Sequence, residues 1–89
     1  MNILKVYGKQ ETLAYDIKHF ATENPGAKLL YKDSVVELYN GIKVCFVVVS
    51  NRDDAFKRVG SKTFQCLDLH SSANIDLETL NYLKSRIRG

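Results

Sequence analysis

The sequence predicts an α/β fold in which two main helices pack on a mixed sheet of about five strands. Two observations carry this prediction. Asn40-Gly41 marks a hairpin between two strand-like segments, and further strand-like segments alternate with segments whose apolar residues recur at helical spacing. The expected order is β-α-β-β-β-β-α, with a short additional helix before the last strand. At 89 residues, and with no internal repeat or linker, residues 1–89 are expected to form one domain.

The first strand and the first helix are predicted from where apolar residues fall. Asn2 to Tyr7 is a strand candidate that Gly8 ends. Glu11 to Ala21 has the 3.6-residue period of a helix, and Asn24-Pro25-Gly26 stops it because proline disfavours helical geometry in the preceding residue. The apolar face of this helix consists of Leu13, Ile17 and Phe20, joined by Ala14 and Ala21. A right-handed crossover is expected to lead from this helix to a strand parallel to and beside the first.

The middle of the chain predicts three strands. Lys28 to Lys32 is the second, and the next two form the hairpin. A two-residue type I′ turn at Asn40-Gly41 places Glu37 opposite Val44. From Val44 to Val49 the chain is apolar on both faces, which indicates an interior strand.

The last third predicts a short helix, a strand and a longer helix. Residues 50–54 form a polar connection that caps the short helix, which runs through Arg58. Thr63 to Leu69 reads as a strand with Phe64 and Cys66 buried. Asp76 is a good N-cap for the final helix. The predicted buried stripe of that helix is Leu77, Leu80, Leu83 and Ile87.

Composition is ordinary for a soluble globular protein, with 45% hydrophobic and 26% charged residues and a net charge of +3. The first residues lack a signal-peptide layout and no apolar run reaches the roughly 20 residues of a membrane span, so we expect a cytoplasmic protein without membrane contact. Cys45 and Cys66 are expected to be buried thiols, and His19 and His70 to be structural. No metal and no cofactor is expected.

Gly8-Lys9 lies where a strand leads into a helix, the context in which backbone N–H groups bind phosphate. A complete phosphate loop has a further glycine five positions before the Gly-Lys pair and a hydroxyl residue after it. Ile3 and Gln10 occupy those places. Gly8 and Lys9 therefore remain as nucleotide-binding candidates.

Several segments together give the chain a likeness to a known family. These segments are Gly8-Lys9, Thr12 to Phe20, Val36 to Gly41, Ser50, Asp54-Ala55 and Arg58 to Phe64. In this pattern the chain resembles a shortened ATPase domain of the large terminases of tailed phages, which drive DNA into the capsid. The family has two acidic residues where His70 and Ser71 stand here, and its nuclease half is absent. The resemblance therefore implies an inactive, phage-encoded relative in the host cytoplasm. It also adds Arg58, in the family's Arg-x-Gly segment, to Gly8 and Lys9 as a nucleotide-binding candidate.

A basic segment offers a second kind of site. Basic residues interleaved with aromatic ones are typical of surfaces that bind single-stranded nucleic acid, and Phe56 and Phe64 lie within this segment. Two aspartates interrupt it, and a solvated loop whose phenylalanines turn into the core is the alternative. The candidate nucleic-acid-binding residues are Arg52, Lys57, Arg58 and Lys62.

These observations lead to a functional expectation with two alternatives. With both ATPase motifs incomplete and no nucleophile motif present, we expect no catalytic residues and a small protein-interaction or regulatory module with a protein partner. The first alternative is a nucleic-acid-binding protein. The second is a nucleotide hydrolase that uses Lys9 and Arg58.

Overall fold

The computed structural model describes residues 1–30 and 34–88. Its strands are β1 (Asn2–Tyr7), β2 (Lys28–Leu30), β3 (Val35–Glu37), β4 (Lys43–Val48) and β5 (Cys66–Leu69), and its helices are α1 (Gln10–Glu23), α2 (Arg52–Val59) and α3 (Leu77–Ser85). The strands form one mixed sheet in the order β2-β3-β4-β1-β5. The predicted α/β class, with helices on a mixed sheet of five strands, is confirmed. The part of the predicted second strand that covers residues 31 and 32 lies outside the described residues.

The sheet joins a parallel half to an antiparallel half. β1 lies between β4 and β5 and is parallel to both, whereas β3 is antiparallel to β2 and β4. The prediction that α1 leads to a parallel neighbour of β1 is wrong, because β2 runs in the same direction as β1 but lies at the far edge of the sheet. The two strands of the hairpin, β3 and β4, lie between β2 and β1. β4 takes the interior place beside β1 because it is apolar on both faces.

The register of the hairpin differs by one residue from the prediction. Val36 faces Val44 and Glu37 faces Lys43, whereas the prediction placed Glu37 opposite Val44. Because side chains alternate across a strand, this shift changes which residues of the two strands lie side by side.

A three-residue turn causes the shift. The N–H of Leu38 donates to the carbonyl oxygen of Ile42 at 2.8 Å, which leaves three residues in the loop rather than two. Gly41 has a φ of 87°, and Asn40 is not among the residues with positive φ, so the turn is not type I′. Instead, Oδ1 of Asn40 accepts a hydrogen bond from the Ile42 N–H at 3.2 Å.

Each face of the sheet carries its own apolar cluster. α1 packs over β1 and β4, and the buried side chains there are Tyr7, Leu13, Val36, Val44 and Phe46. α2 and α3 cover the other face, where the buried side chains are Leu4, Val6, Val49, Ala55, Val59, Phe64 and Leu83. The molecule therefore has three layers, with the sheet in the middle.

The caps predicted for the two later helices are confirmed. Oδ1 of Asn51 accepts from the N–H of Asp54, and Oδ1 of Asp76 accepts from the N–H of Thr79, both at 2.8 Å. Each acceptor satisfies a backbone donor that has no partner within the first turn of its helix.

The buried stripe of α3 is only partly as predicted. Leu83 is fully buried, but Leu77 is 72% exposed because it is the first helical residue and faces away from the sheet. Thr79 is buried, one turn before Leu83. Leu80 and Ile87 are partly buried.

The last strand begins later than predicted. Phe64 is buried as predicted, but it forms only an isolated bridge with Ile87, and the strand itself starts at Cys66. Cys66 is exposed rather than buried, since β5 is an edge strand, and Cys45 is partly buried. Across the ranges 1–30 and 34–88, no helix combines the length and the apolar character that crossing a membrane requires.

Candidate functional site

The corner between β1 and α1 is closed by another part of the chain. β1 ends at the carboxyl edge of the sheet, where the N–H of Gly8 donates to Oγ of Ser72 at 3.1 Å. A Cβ atom on Gly8 would lie 2.0 Å from the carbonyl oxygen of Ser72. Glycine is therefore required here for close packing, and its N–H is used within the protein.

A polar cluster extends this contact into the sheet. Buried Tyr7 donates its hydroxyl hydrogen to Oδ2 of Asp16 at 2.8 Å, and the ring of His70 stacks on the Tyr7 ring with 4.6 Å between centroids. Burial, followed by the hydrogen bond to Asp16 and the charge of that carboxylate, raises the pKa of Tyr7 well above its usual range. The cluster ties the end of β1 and α1 to the loop after β5.

The cluster contains serine, histidine and aspartate side chains, but their arrangement does not make a nucleophile. Oγ of Ser72 lies 2.9 Å from Nδ1 of His70, and Nε2 of the same ring lies 3.6 Å from Oδ2 of Asp16. The backbone N–H of Ser72 donates to Nδ1 of His70 at 3.0 Å. That bond occupies the lone pair that a general base needs. In this arrangement the ring of His70 joins the loop after β5 to Tyr7 and Asp16.

The other two nucleotide-binding candidates lie on either side of the sheet. Lys9 is exposed and occupies the N-cap position of α1, where its side chain forms no cap. Arg58 lies on α2, and its Nε donates to Oδ1 of Asp54 at 3.0 Å. Gly8 and Lys9 therefore belong to the closed corner, whereas Arg58 borders a cleft that is also lined by Gln10, the residue after Lys9.

That cleft collects three of the four predicted nucleic-acid-binding residues. Lys57 and Arg58 come from α2 and Lys62 from the connection to β5, and they border a cleft of about 280 Å³, which we call the basic cleft. Its other lining residues among those described are Gln10, Leu13, Ser34, Phe46, Val47 and Val48.

Local structure explains why these cations converge. Ala55 and Val59 bury one side of α2 against the sheet, so Lys57 and Arg58 fall on other, exposed sides of the helix. The N–H of Gly60 donates to the carbonyl oxygen of Phe56 at 2.8 Å, and Gly60 has a φ of 59°. This glycine turns the chain so that Lys62 returns to the same cleft.

Charge in the basic cleft is only partly compensated. Burial alone raises the pKa of Asp54, but the N–H of Ser50, the Arg58 guanidinium and the Ser50 hydroxyl together hold that pKa below its usual value. Asp54 therefore stays ionised and pairs with Arg58. Lys57 and Lys62 form no ion pair with any residue in the described ranges.

A second cleft adjoins the first. Lys62 borders both the basic cleft and a neighbouring cleft of about 380 Å³, which Asn2, Lys43 and Thr63 also line. Lys43 lies 3.8 Å from Glu37, with half of its side chain exposed. The two clefts share Lys62, and we call the pair of them the lysine track.

Arg52, the fourth predicted basic residue, lies apart from the basic cleft. Its guanidinium is 3.3 Å from the carboxylate of Glu78 on α3, beside Tyr82. The two predicted stacking residues also separate: Phe56 is 63% exposed, whereas Phe64 is 3% exposed and part of the core. Of these two phenylalanines, Phe56 is therefore the one that can contact a ligand.

The sequence did not predict that Gln10 and Lys43 lie near these cations. Gln10 comes from the first turn of α1 and Lys43 from the start of β4, far from the basic segment in sequence. Only the order of strands brings them near, and no local pattern predicts that order.

A larger cleft of about 550 Å³ lies between α1 and Leu29. Among the described residues its lining is mainly apolar and includes one cation, Lys18, so these residues offer little to an anion. Within the described part of the chain, no three histidine, cysteine, aspartate or glutamate side chains are grouped to hold a metal ion. Comparison of the chain with protein-family models, curated proteins and solved structures returned no match.

Proposed function

We propose that this protein binds nucleic acid through the basic cleft. The observation that supports the proposal is that Lys57, Arg58 and Lys62 converge on one cleft, where the two lysines have no acidic partner among the described residues. Cations left without intramolecular partners are available to phosphate groups, and their binding releases counterions from the polymer.

A polymer fits the lysine track better than a small anion does. The basic cleft and its neighbour share Lys62, so consecutive phosphates of one backbone can meet Lys57 and Arg58 first and Lys43 afterwards. The closed corner at Gly8 gives no support to a nucleotide hydrolase, since the glycine N–H already donates to Ser72. The protein-interaction role and the likeness to packaging ATPases stay predictions.

The test compares two double variants with equal change in net charge. Lys57→Gln/Lys62→Gln removes the two lysines of the basic cleft, and Lys28→Gln/Lys84→Gln removes two exposed lysines elsewhere. Binding of fluorescent single-stranded and duplex oligonucleotides is measured by anisotropy over a range of salt concentrations. The slope of log Kd against log salt should fall by about 1.4 to 1.8 in the cleft variant and hardly change in the control.

Two results would overturn the proposal. One is the absence of oligonucleotide binding by the unmodified protein at low salt. The other is an equal loss of affinity in both double variants, which would mean that net charge, rather than the basic cleft, attracts the polymer.

A further inference from the structure

We infer that the bound nucleic acid is single-stranded and that one of its bases stacks on Phe56. This inference rests on the proposed function, because the basic cleft supplies the phosphate contacts. It adds a second component of binding, the stacking of a base on an aromatic ring, which duplex DNA cannot provide at an internal step.

Phe56 is held as an exposed platform. Phe56 is 63% exposed, and its ring lies beside that of Tyr82, with 6.1 Å between centroids and 51° between planes. The Tyr82 hydroxyl donates to the carbonyl oxygen of Gly60 at 2.9 Å, which fixes the ring beneath Phe56. A fixed aromatic surface loses little conformational freedom when a base stacks on it.

The cations flank this platform. Successive residues of a helix are about 100° apart around its axis, so Lys57 and Arg58 lead from Phe56 round towards the basic cleft. Arg52, one turn before Phe56, lies on the opposite flank beside α3. A strand that crosses α2 therefore meets phosphate-binding groups both before and after the ring.

Arg52 is available to such a strand. Its partner Glu78 lies 3.3 Å away, but both side chains are more than half exposed. Exposed ion pairs of this kind contribute little to stability, so the guanidinium can exchange the carboxylate for a phosphate at small cost. On the path of a strand that crosses α2, Phe56 therefore lies between Arg52 and Lys57, and Arg58 and Lys62 border the basic cleft beyond Lys57.

A single strand is the form of nucleic acid that suits this path. In a duplex the base faces are already stacked on one another, whereas an unpaired base can place its face on a protein ring. Stacking on aromatic rings is largely independent of base identity. We therefore expect single strands of different sequence to bind with similar affinity.

The experiment uses the fact that the chain has no tryptophan. Phe56→Trp introduces one indole at the platform, and its fluorescence reports stacking directly. Titration with single-stranded oligonucleotides should quench this fluorescence, and titration with a duplex of equal length should quench it much less. Tyr39→Trp is the control, since Tyr39 is 87% exposed in the hairpin turn and should show no quenching.

A second pair of variants measures how much base stacking on Phe56 contributes to the affinity for single strands. Phe56→Leu keeps an apolar side chain against Tyr82 but removes the ring, and it should weaken single-strand binding about tenfold without changing the salt slope. Tyr39→Leu should leave affinity unchanged.

The outcomes separate this inference from the proposed function. Binding without quenching, or equal affinity for single strands and duplexes in both the original protein and Phe56→Leu, overturns stacking and leaves the phosphate contacts standing. No binding of either polymer overturns both.

Discussion

The connections at Gly8-Lys9 and at Gly60-Ser61-Lys62 both place a glycine shortly before a lysine at a helix boundary, and they differ in whether their polar groups are left available to a ligand. At Gly8-Lys9 the glycine packs against the backbone of Ser72 and donates its N–H to the hydroxyl of that residue. At Gly60 the nearest atom to an added Cβ is 3.8 Å away, and Lys62 faces a cleft without an acidic partner in the described ranges. The first connection is closed, and the second is open.

The difference shows what makes such a connection an anion site. A glycine and a lysine at a helix boundary supply donors and charge, but a ligand can use them only if the protein does not. At Gly8 the loop after β5 takes the donor, whereas at Gly60 the turn is satisfied within α2 and the cations project outward. Substitutions in the closed connection should therefore destabilise the protein, whereas substitutions in the open connection should have little effect on its stability.

The largest effect is expected at Gly8. Gly8→Ala should lower the free energy of unfolding by about 2–3 kcal/mol, because the new methyl group would overlap the carbonyl oxygen of Ser72. Gly41→Ala is the matched control: its φ is 87° but no atom lies within 4 Å, so conformational strain alone should cost about 1 kcal/mol. Urea unfolding measures both. Equal losses would contradict close packing at Gly8.

The hydroxyl of Ser72 should matter somewhat less. Ser72→Ala leaves the N–H of Gly8 without its acceptor and should cost about 1–2 kcal/mol. Ser61→Ala, in the open connection, should change stability by less than about 0.5 kcal/mol because Ser61 is exposed. If the two substitutions have equal effects, the contact between Gly8 and Ser72 does not hold the corner closed.

Tyr7 should give the closed corner a dependence on alkaline pH. Tyr7→Phe removes the hydrogen bond to Asp16 and should cost about 1 kcal/mol at pH 7. Burial and Asp16 raise the pKa of folded Tyr7, so an unfolded chain ionises near pH 10.0 while the folded one stays neutral. The stabilisation that the neutral, hydrogen-bonded Tyr7 gives the folded protein is therefore complete below pH 10.0 and is lost as the pH rises above that value.

The measurement is the difference in unfolding free energy between the original protein and Tyr7→Phe at pH 7 and at pH 10.5. That difference should shrink at the higher pH. Tyr39→Phe is the control: because Tyr39 is exposed, its unfolding free energy should stay close to that of the original protein at both pH values. A Tyr7→Phe difference that does not change with pH would mean that the folded and unfolded chains ionise Tyr7 alike.

Local signals were sufficient for most elements of the fold. The bounds of β1 and the cap at Asp76 follow from residues within one turn or one strand, and both predictions are confirmed. The register of the hairpin was not predictable in this way. Asn-Gly suits a two-residue turn, but a three-residue turn with Gly41 at positive φ also suits it, and strand pairing decides between them.

The candidate site was predictable only where its residues are neighbours in sequence. Lys57, Arg58 and Lys62 converge because one helix and one glycine turn hold them. The closure of Gly8 was not predictable, since its partner Ser72 is 64 positions away and only the pairing of β5 with β1 brings it near. Long-range pairing therefore decides which of two similar connections stays open.

The smallest effect is expected at Thr79, whose buried hydroxyl is a counterpart to the hydrogen-bonded hydroxyl of Ser72 in the closed corner. Its Oγ1 is buried in α3 without a partner in the described part of the chain, whereas the Ser72 hydroxyl is bonded. Thr79→Val keeps the shape and removes only the idle hydroxyl, so stability should stay within about 0.5 kcal/mol or rise slightly. A loss above about 1 kcal/mol in urea unfolding would show that Oγ1 has a partner in solution. An unchanged value, next to the loss in Ser72→Ala, would show that a hydroxyl contributes to stability here only where it is hydrogen-bonded.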